Sequence, residues 1–386
     1  MIPYGRQDIN EDDIQAVVDV LRSEFLTQGP VVPAFEKSIT DYCGVNYAVA
    51  VNSATSALHI ACLALDVGPD DIVWTSPITF VASANCALYC GADVDFVDID
   101  PHTYNMSIER LSEKLQQAEK LDKLPKVVIP VHLCGQPCEM EKIHELSLKY
   151  GFRIIEDASH AIGAKYKNRS VGNCEFSDIT VFSFHPVKII TTGEGGMAMT
   201  NSTQLARRMQ LMRSHGITRH ENEMTHASDG PWYYQQIDLG YNYRMTDLQA
   251  ALGLSQMQRL DEFLSRRHYI AERYHQLLED LPLVKPWQDE ESYSALHLYV
   301  IRLKCTEIGL THRQVFETLR ALSIGVNLHY IPVYQHPYYK KLGFKSGYCI
   351  EAERYYTEAI SLPIYSSLTE IQQDMVIAVL KEALKK

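Results

Sequence analysis

The spacing of hydrophobic positions changes along the chain. Near the start, Ile14, Val17, Val18 and Leu21 recur at helical spacing, Asn10 stands where an N-cap belongs, and Asp13 falls in the first turn. This predicts a first helix with one apolar stripe. YAVAV at 47–51 is instead a short unbroken apolar run. It meets a tight polar turn at Asn52–Ser53 and then a helix with Ala54, Ala57, Leu58, Ala61 and Leu65 along one side. The alternation recurs, with β-rich runs at 71–75, 94–99, 127–133, 153–157 and 179–184 and helical stretches between most of them. Apolar strands separated by helices predict an α/β unit around a mostly parallel sheet buried on both faces.

The character changes near Thr246. TDLQAALGLSQMQRLDEFLSRR predicts one long helix capped by Thr246 with Asp247 beside it. A strand over 295–303, a helix over 312–322, a second strand over 325–333 and the amphipathic run LTEIQQDMVIAVLKEAL then predict a smaller α+β unit. The expected division is a large unit over 1–255 and a small one over 256–386; a chain of 386 residues is too long for one compact core.

Composition narrows the function classes. Hydrophobic residues are 46% and charged residues 22%, as in ordinary globular proteins. A net charge of −12 argues against a nucleic-acid partner, which favours a basic face. No run is long and apolar enough to cross a bilayer, and MIPYGRQDINEDD lacks a signal-peptide layout, so no membrane partner is expected. Nine scattered cysteines without a framework spacing read as reduced thiols of a cytoplasmic protein. His132, Cys134 and Cys138 lie close together, but nothing nearby completes a four-ligand set, so no metal is expected.

The chemistry concentrates in SDITVFSFHPVKIITTGEGGMAMTN, residues 177–201. A strand ends at Ser183 and Phe184, a loop carries Lys188, and Gly193, Gly195 and Gly196 follow. A lysine in an apolar loop loses some of its affinity for a proton, and its neutral amine can then form a Schiff base. In RIIEDASHAIGA a strand ends at Asp157 with His160 three residues on. A carboxylate at the C-terminal edge of a parallel strand is where α/β sheets place ligand groups, and a pyridine cofactor needs one to stay protonated. Thr55 and Ser56 open the helix after Asn52–Ser53, where free N–H groups favour a phosphate. Taken singly, each part has a plainer reading: a surface lysine in a glycine turn, a capping aspartate, a capped helix.

In order and spacing, NSATSAL, SPITFVASAN with Phe80, Asp157, FSFHPVK ending at Lys188 and TTGEGG together resemble the DegT/DnrJ/EryC1/StrS sugar aminotransferases. The resemblance runs from LTQGP at 26–30 to HYIPVYQ and ISLP at 360–363. It implies the fold of the aspartate-aminotransferase-like, fold-type-I enzymes of pyridoxal 5′-phosphate (PLP), with a mostly parallel seven-stranded sheet. Lys188 would bond the cofactor and shuttle the proton, and Asp157 would pair with the ring nitrogen. Phe80 would stack on the ring, Thr55, Ser56 and Ser183 would hold the phosphate, and His160, where many members carry Gln, would meet the ring hydroxyl. Asn242 would reach the neighbouring subunit's phosphate, which implies a homodimer with shared sites. Tyr4, Gln28, Arg213, His215, His329 and Tyr338 fall on segments that line the sugar-nucleotide site in relatives, with Arg213 the first choice for binding its charge. The details are most similar to members of pseudaminic acid biosynthesis, which implies L-glutamate as donor and a UDP-linked 4-keto-6-deoxy-N-acetylhexosamine as acceptor. Rival readings are an aminotransferase for another nucleotide-linked keto-sugar, such as a dTDP-sugar at C3 or C4, and a non-catalytic regulatory protein on the same fold. Members that dehydrate sugars carry His in place of the lysine, so Lys188 argues against that class.

Overall fold

The computed structural model describes residues 1–385. Its centre is a seven-stranded sheet of β1 (Tyr47–Val51), β2 (Ile72–Thr75), β3 (Asp93–Phe96), β4 (Val127–Ile129), β5 (Arg153–Asp157), β6 (Ile179–Ser183) and β7 (Gly196–Thr200). The spatial order is β1-β7-β6-β5-β4-β2-β3. The pairs β2–β3, β2–β4, β4–β5 and β5–β6 are parallel, whereas β7 runs antiparallel to both β1 and β6. The mostly parallel α/β architecture is as expected. β7 was not anticipated from the chain pattern, because in GMAMT only the last residue, Thr200, is of a β-branched or aromatic type that marks a strand.

Alternate residues of the central strands enter different cores. Val49, Val51, Val181 and Ala198 pack on one face with Ala57, Leu58 and Ala61 of the helix that follows β1. Ala48, Ala50, Phe182, Met197 and Met199 pack on the other with Phe35 and Ile39. Both faces are therefore dry, which is why these strands read as continuous apolar runs. The helices that matter below are α1 (Glu11–Leu21), α2 (Val31–Cys43), α3 (Ala54–Ala64), α4 (Ala82–Tyr89), α5 (Asp247–Met257) and α6 (Leu260–Leu277).

Three expectations change. The single helix after Thr246 is two helices, α5 and α6, although Thr246 caps the first through a capping box with Gln249. The break falls at Gln258 and Arg259, and Arg259 turns its guanidinium to Asp8 and to Asp13 Oδ2, the latter at 2.7 Å. The strand expected over 325–333 is confined to Ile324–Gly325, which pairs in parallel with Ile2–Pro3. The chain then passes through Pro332, which has no N–H to donate, into a 3₁₀ turn at Val333–Gln335. Finally, the stripe of α1 is not its buried face. Asn10 does cap the helix, but Ile14 and Leu21 stay exposed, while Asp13 is fully buried and accepts from Ser255, Gln256 and Arg259.

Core membership changes inside α6, beyond the expected 255/256 division. Leu260, Phe263 and Leu264 pack with the sheet, whereas Ile270 and Tyr274 join a C-terminal core that also takes in Ile2. The N-terminal residues are thus structurally part of the C-terminal unit.

Asp13 makes a measurable case. Asp13→Ala leaves the Ser255 hydroxyl, the Gln256 amide and the Asn10 N–H without their acceptor and Arg259 with Asp8 as its remaining carboxylate, and is expected to lower unfolding free energy by about 3 kcal/mol. Asp12→Ala, one residue earlier and exposed, should change it by less than about 1 kcal/mol. Guanidinium unfolding followed by circular dichroism reads both.

Candidate functional site

The chemistry gathers at the C-terminal edge of the parallel strands, where consecutive loops diverge and leave a crevice. Lys188 lies on the loop that returns β6 into β7. That loop is closed by the Phe184 N–H to the Gly195 carbonyl at 2.9 Å and the Thr192 N–H to the Phe184 carbonyl at 3.0 Å. Protein packs around the lysine amine while part of the side chain still shows to solvent. Burial pulls its pKa down to about 8, and the nearby Asp157 carboxylate holds it from falling further. A useful fraction of neutral amine therefore exists near neutral pH.

Asp157 ends β5 and is buried. Its Oδ2 accepts from the Ser83 hydroxyl at 2.6 Å and its Oδ1 from the Ser159 N–H at 3.1 Å. Ser83 belongs to α4, just after Phe80, and was missed from sequence although it stands in the quoted SPITFVASAN motif. Phe80 itself is 60% exposed, a large apolar ring that the chain does not cover. Its aromatic neighbour is Tyr330, at a centroid distance of 6.4 Å.

His160 is buried three residues beyond Asp157. Its Nδ1 accepts from the Cys134 N–H at 3.3 Å, which fixes the hydrogen on Nε2, where the Tyr330 hydroxyl lies 3.2 Å away. Burial, then Lys188 and His329, depress its basicity well below the usual histidine range. His329 is held down to about 3 by burial and the Lys188 charge. Its Nδ1 and the Ser361 hydroxyl are 2.8 Å apart, and the Tyr4 ring lies 4.9 Å from its own. The crevice thus has neutral imidazoles, one buried carboxylate and one amine.

The turn after β1 forms as expected, with a different division of labour. Ser53 caps α3 by accepting from the Ser56 N–H, and the Ser56 hydroxyl bonds Asn52 at 2.7 Å, so Ser56 is spent inside the turn. The Thr55 side chain has no hydrogen bond among the described residues, and the N–H groups of Ala54 and Thr55 stand at the start of the helix, where an intrahelical partner is lacking. Gly196 lies directly beneath: a Cβ there would stand 2.5 Å from the Ala54 nitrogen and 2.6 Å from the Ser53 carbonyl. Gly196 also pairs with Val51 and with Ser183, so it joins the turn to the end of β6.

A half-buried lysine close enough to a buried aspartate for its charge to act on the amine, a helix N-terminus and an uncovered phenylalanine match what PLP requires: a Schiff-base amine, a partner for the ring nitrogen, a phosphate cradle and an apolar face.

The other expected contacts divide. Tyr4 and His329 join the crevice. Gln28 and Arg213 line a separate cleft with Gly29, Glu36 and Arg244. Arg213 is not the free cation expected of it: its guanidinium donates to Glu36 at 2.6 Å and to the Ala50 carbonyl at 2.9 Å. Arg244 in that cleft donates to the Ser214 hydroxyl at 3.1 Å and forms no ion pair among the described residues. His215 is exposed with a positive φ of 60°, and Tyr338 is exposed beside Tyr339. Asn242 is exposed, its carbonyl 3.4 Å from the Asn52 side chain of the same chain. His132 is engaged at both nitrogens: Nδ1 accepts from the Cys138 N–H at 3.0 Å and Nε2 faces the buried Glu156 at 2.7 Å.

A family model described as the DegT/DnrJ/EryC1/StrS aminotransferase family matches residues 7–381. The chain is 36% identical over 391 residues to the UDP-4-amino-4,6-dideoxy-N-acetyl-beta-L-altrosamine transaminase of Campylobacter jejuni, covering 100% of this chain and 99% of that one. It is also 36% identical over 382 residues to the GDP-perosamine synthase of Caulobacter vibrioides, covering 98% and 96%. Among solved structures, Helicobacter pylori PseC, an aminotransferase involved in the biosynthesis of pseudoaminic acid, matches with a TM-score of 0.89 at 30% identity, over 99% of each chain.

The lysine environment has a pH signature. Capture of PLP by the apoprotein should speed up as pH rises, with a midpoint at about 8, as Lys188 loses its proton. Asp157→Asn removes the group that favours the charged amine and should move the midpoint lower. Stopped-flow absorbance across pH measures both; an unmoved midpoint in Asp157→Asn removes the coupling.

Proposed function

The chain belongs to the DegT/DnrJ/EryC1/StrS aminotransferase family, whose members use PLP, and from that premise we propose that it carries an amino group from L-glutamate to the C4 keto group of a UDP-linked 4-keto-6-deoxy-N-acetylhexosamine. The observation that carries the amino transfer is Lys188, its pKa drawn down to about 8, facing Asp157 across one crevice. Full-length similarity to the Campylobacter transaminase supports the choice of acceptor.

PLP, when bound, supplies a protonated ring that accepts the electrons of a breaking Cα–H bond. Asp157, ordered by Ser83 and the Ser159 N–H, keeps the proton on the ring nitrogen. Lys188 takes the proton from the donor carbon and returns it on the far side of the transfer, a role that needs an amine titrating near the working pH. Phe80 covers one face of the ring and keeps water from it. Thr55, the free N–H groups of α3 and Ser183 hold the phosphate, and His160 offers its Nε2–H to the ring hydroxyl. Glutamate and the keto-sugar occupy the pocket in turn, so the kinetics are ping-pong.

The second chain of a homodimer completes the site in this reading. Asn242 is exposed beside the phosphate turn, and Leu21, Phe25 and Leu26 are exposed apolar residues on the segment whose Thr27 pairs with Thr246, the kind of surface a second copy covers. Mixing Asn242→Ala with Lys188→Ala protein should produce activity that neither has alone, since one site of each mixed dimer keeps both residues. Proven subunit exchange without recovery would refute the shared site.

Similarity to GDP-perosamine synthase at the same identity favours a second reading, in which the acceptor is a keto-sugar on another nucleotide. One spectrum separates the two. With PLP the protein should show a visible band that glutamate removes and the UDP-keto-sugar restores. Restoration only by a GDP- or dTDP-linked keto-sugar transfers the assignment to the second reading, and a band that no amino donor moves points to the regulatory one. Lys188→Ala should lose turnover by about 10²- to 10⁴-fold or more, the usual worth of a positioned proton carrier.

A further inference from the structure

Residues 294–298 reach the crevice from the C-terminal unit and carry a histidine that the apolar run ALHLYVIRL did not single out. His297 is buried, and its Nδ1 has no hydrogen-bond partner among the described residues. A buried ring nitrogen left unpaired is a cost that folded proteins mostly avoid, so its position calls for a reason. The His297 ring lies 4.4 Å from the His160 ring, centroid to centroid, at an interplanar angle of 48°.

The backbone behind His297 is unusually well held. The buried Arg267 guanidinium on α6 donates to the carbonyls of Leu296, His297 and Ile364, each at 3.2 Å. The Ala295 N–H bonds the Gly135 carbonyl at 2.9 Å, and the Leu298 N–H bonds the Cys134 carbonyl at 3.3 Å. A Cβ on Gly135 would lie 2.9 Å from both the His160 carbonyl and the Leu296 nitrogen, so the two segments touch there. The turn that orders His160 through Cys134 is therefore the same turn that anchors His297.

We propose that His297 is a positioning residue, whose ring braces the face of His160 so that the His160 Nε2–H stays aimed at the cofactor. The inference rests on the reading that His160 meets the cofactor ring. His160 is gripped at one edge by the Cys134 N–H, the Tyr330 hydroxyl meets its Nε2 with the Tyr330 ring near-parallel to it at 6.1 Å and 24°, and the His297 ring packs closest on it, at 4.4 Å. Burial first, and then His160, Lys188, Arg267 and His329, oppose a positive charge on His297. The contact is therefore one between neutral rings, and another aromatic ring of similar size can replace it.

The test uses full-length His297→Ala, His297→Phe, His160→Ala and the double variant His160→Ala/His297→Ala. PLP dissociation constants, the visible band of the PLP-loaded protein, and kcat and KM are measured for each. His297→Ala should weaken PLP binding, shift the band and lower kcat by up to about 100-fold with KM for the sugar little changed, the scale of a misplaced catalytic contact. His297→Phe should restore the band and the affinity, and the double variant should be no worse than His160→Ala. A His297→Ala protein with wild-type band and affinity overturns the proposal, as does His297→Phe behaving like His297→Ala, or losses that simply add in the double variant. If His160→Ala itself leaves band and affinity unchanged, the reading of His160 fails and takes the inference with it.

Discussion

The reversal of chain direction between β6 and β7 is the constraint from which the site follows. A parallel strand must be followed by a crossover, but β7 turns straight back and inserts between β6 and β1. Its first residue then pairs with Ser183 on one side and Val51 on the other. That places the Lys188 loop and the phosphate turn on adjoining strand ends, with one residue between them. Only glycine fits there, because any Cβ would run into the backbone of Ser53 and Ala54. A side chain at 196 would push the helix N-terminus away from the lysine loop, and the distance between phosphate cradle and amine is the dimension a rigid cofactor cannot adjust.

Charge is distributed as carefully as shape. Arg213 is matched by Glu36, and Arg267 spreads its charge over three carbonyls. His132 and Glu156 satisfy each other beneath the sheet. Around Lys188 this leaves Asp157 as the carboxylate that sets the amine, with His160, His297 and His329 all held neutral by burial and by the lysine itself. Had the histidines been free to protonate, each would have competed with the amine for the one carboxylate and drawn its pKa lower still. Their neutrality leaves the amine able to titrate alone.

What could be read from the chain, and what could not, divides by the kind of constraint. The strands at 47–51, 153–157 and 179–183 were legible because every position meets a dry core on one face or the other. β7 was not, because its residues are small or flexible and its place is set by its neighbours. The stripe on α1 misled, since the helix is held through buried Asp13 and turns much of its apolar side outward. Lys188 and Asp157 stand out in the sequence by type and context, a lysine in an apolar loop and a carboxylate at a strand end. Ser83 and His297 do not, because a serine in a helix and a histidine in an apolar run acquire meaning only when the fold brings Asp157 and His160 beside them. Arg213 shows the opposite failure: its type suggested an anion site, but Glu36, far away in sequence, already occupies it.

The two units contribute unlike things to the crevice. The sheet provides Lys188, Asp157, Thr55 and Ser183, the groups that carry charge or hold phosphate. The C-terminal unit provides His297, His329 and Tyr330, and through the pairing of Ile2–Pro3 with Ile324–Gly325 it also carries Tyr4, whose carbonyl accepts from the Ile364 N–H at 3.0 Å. These are uncharged rings with few fixed directions of hydrogen bonding. A transfer in which a small amino acid and a bulky nucleotide sugar use one pocket in turn demands both properties. The proton-moving groups must hold one geometry for both partners, while the wall opposite must accept two shapes.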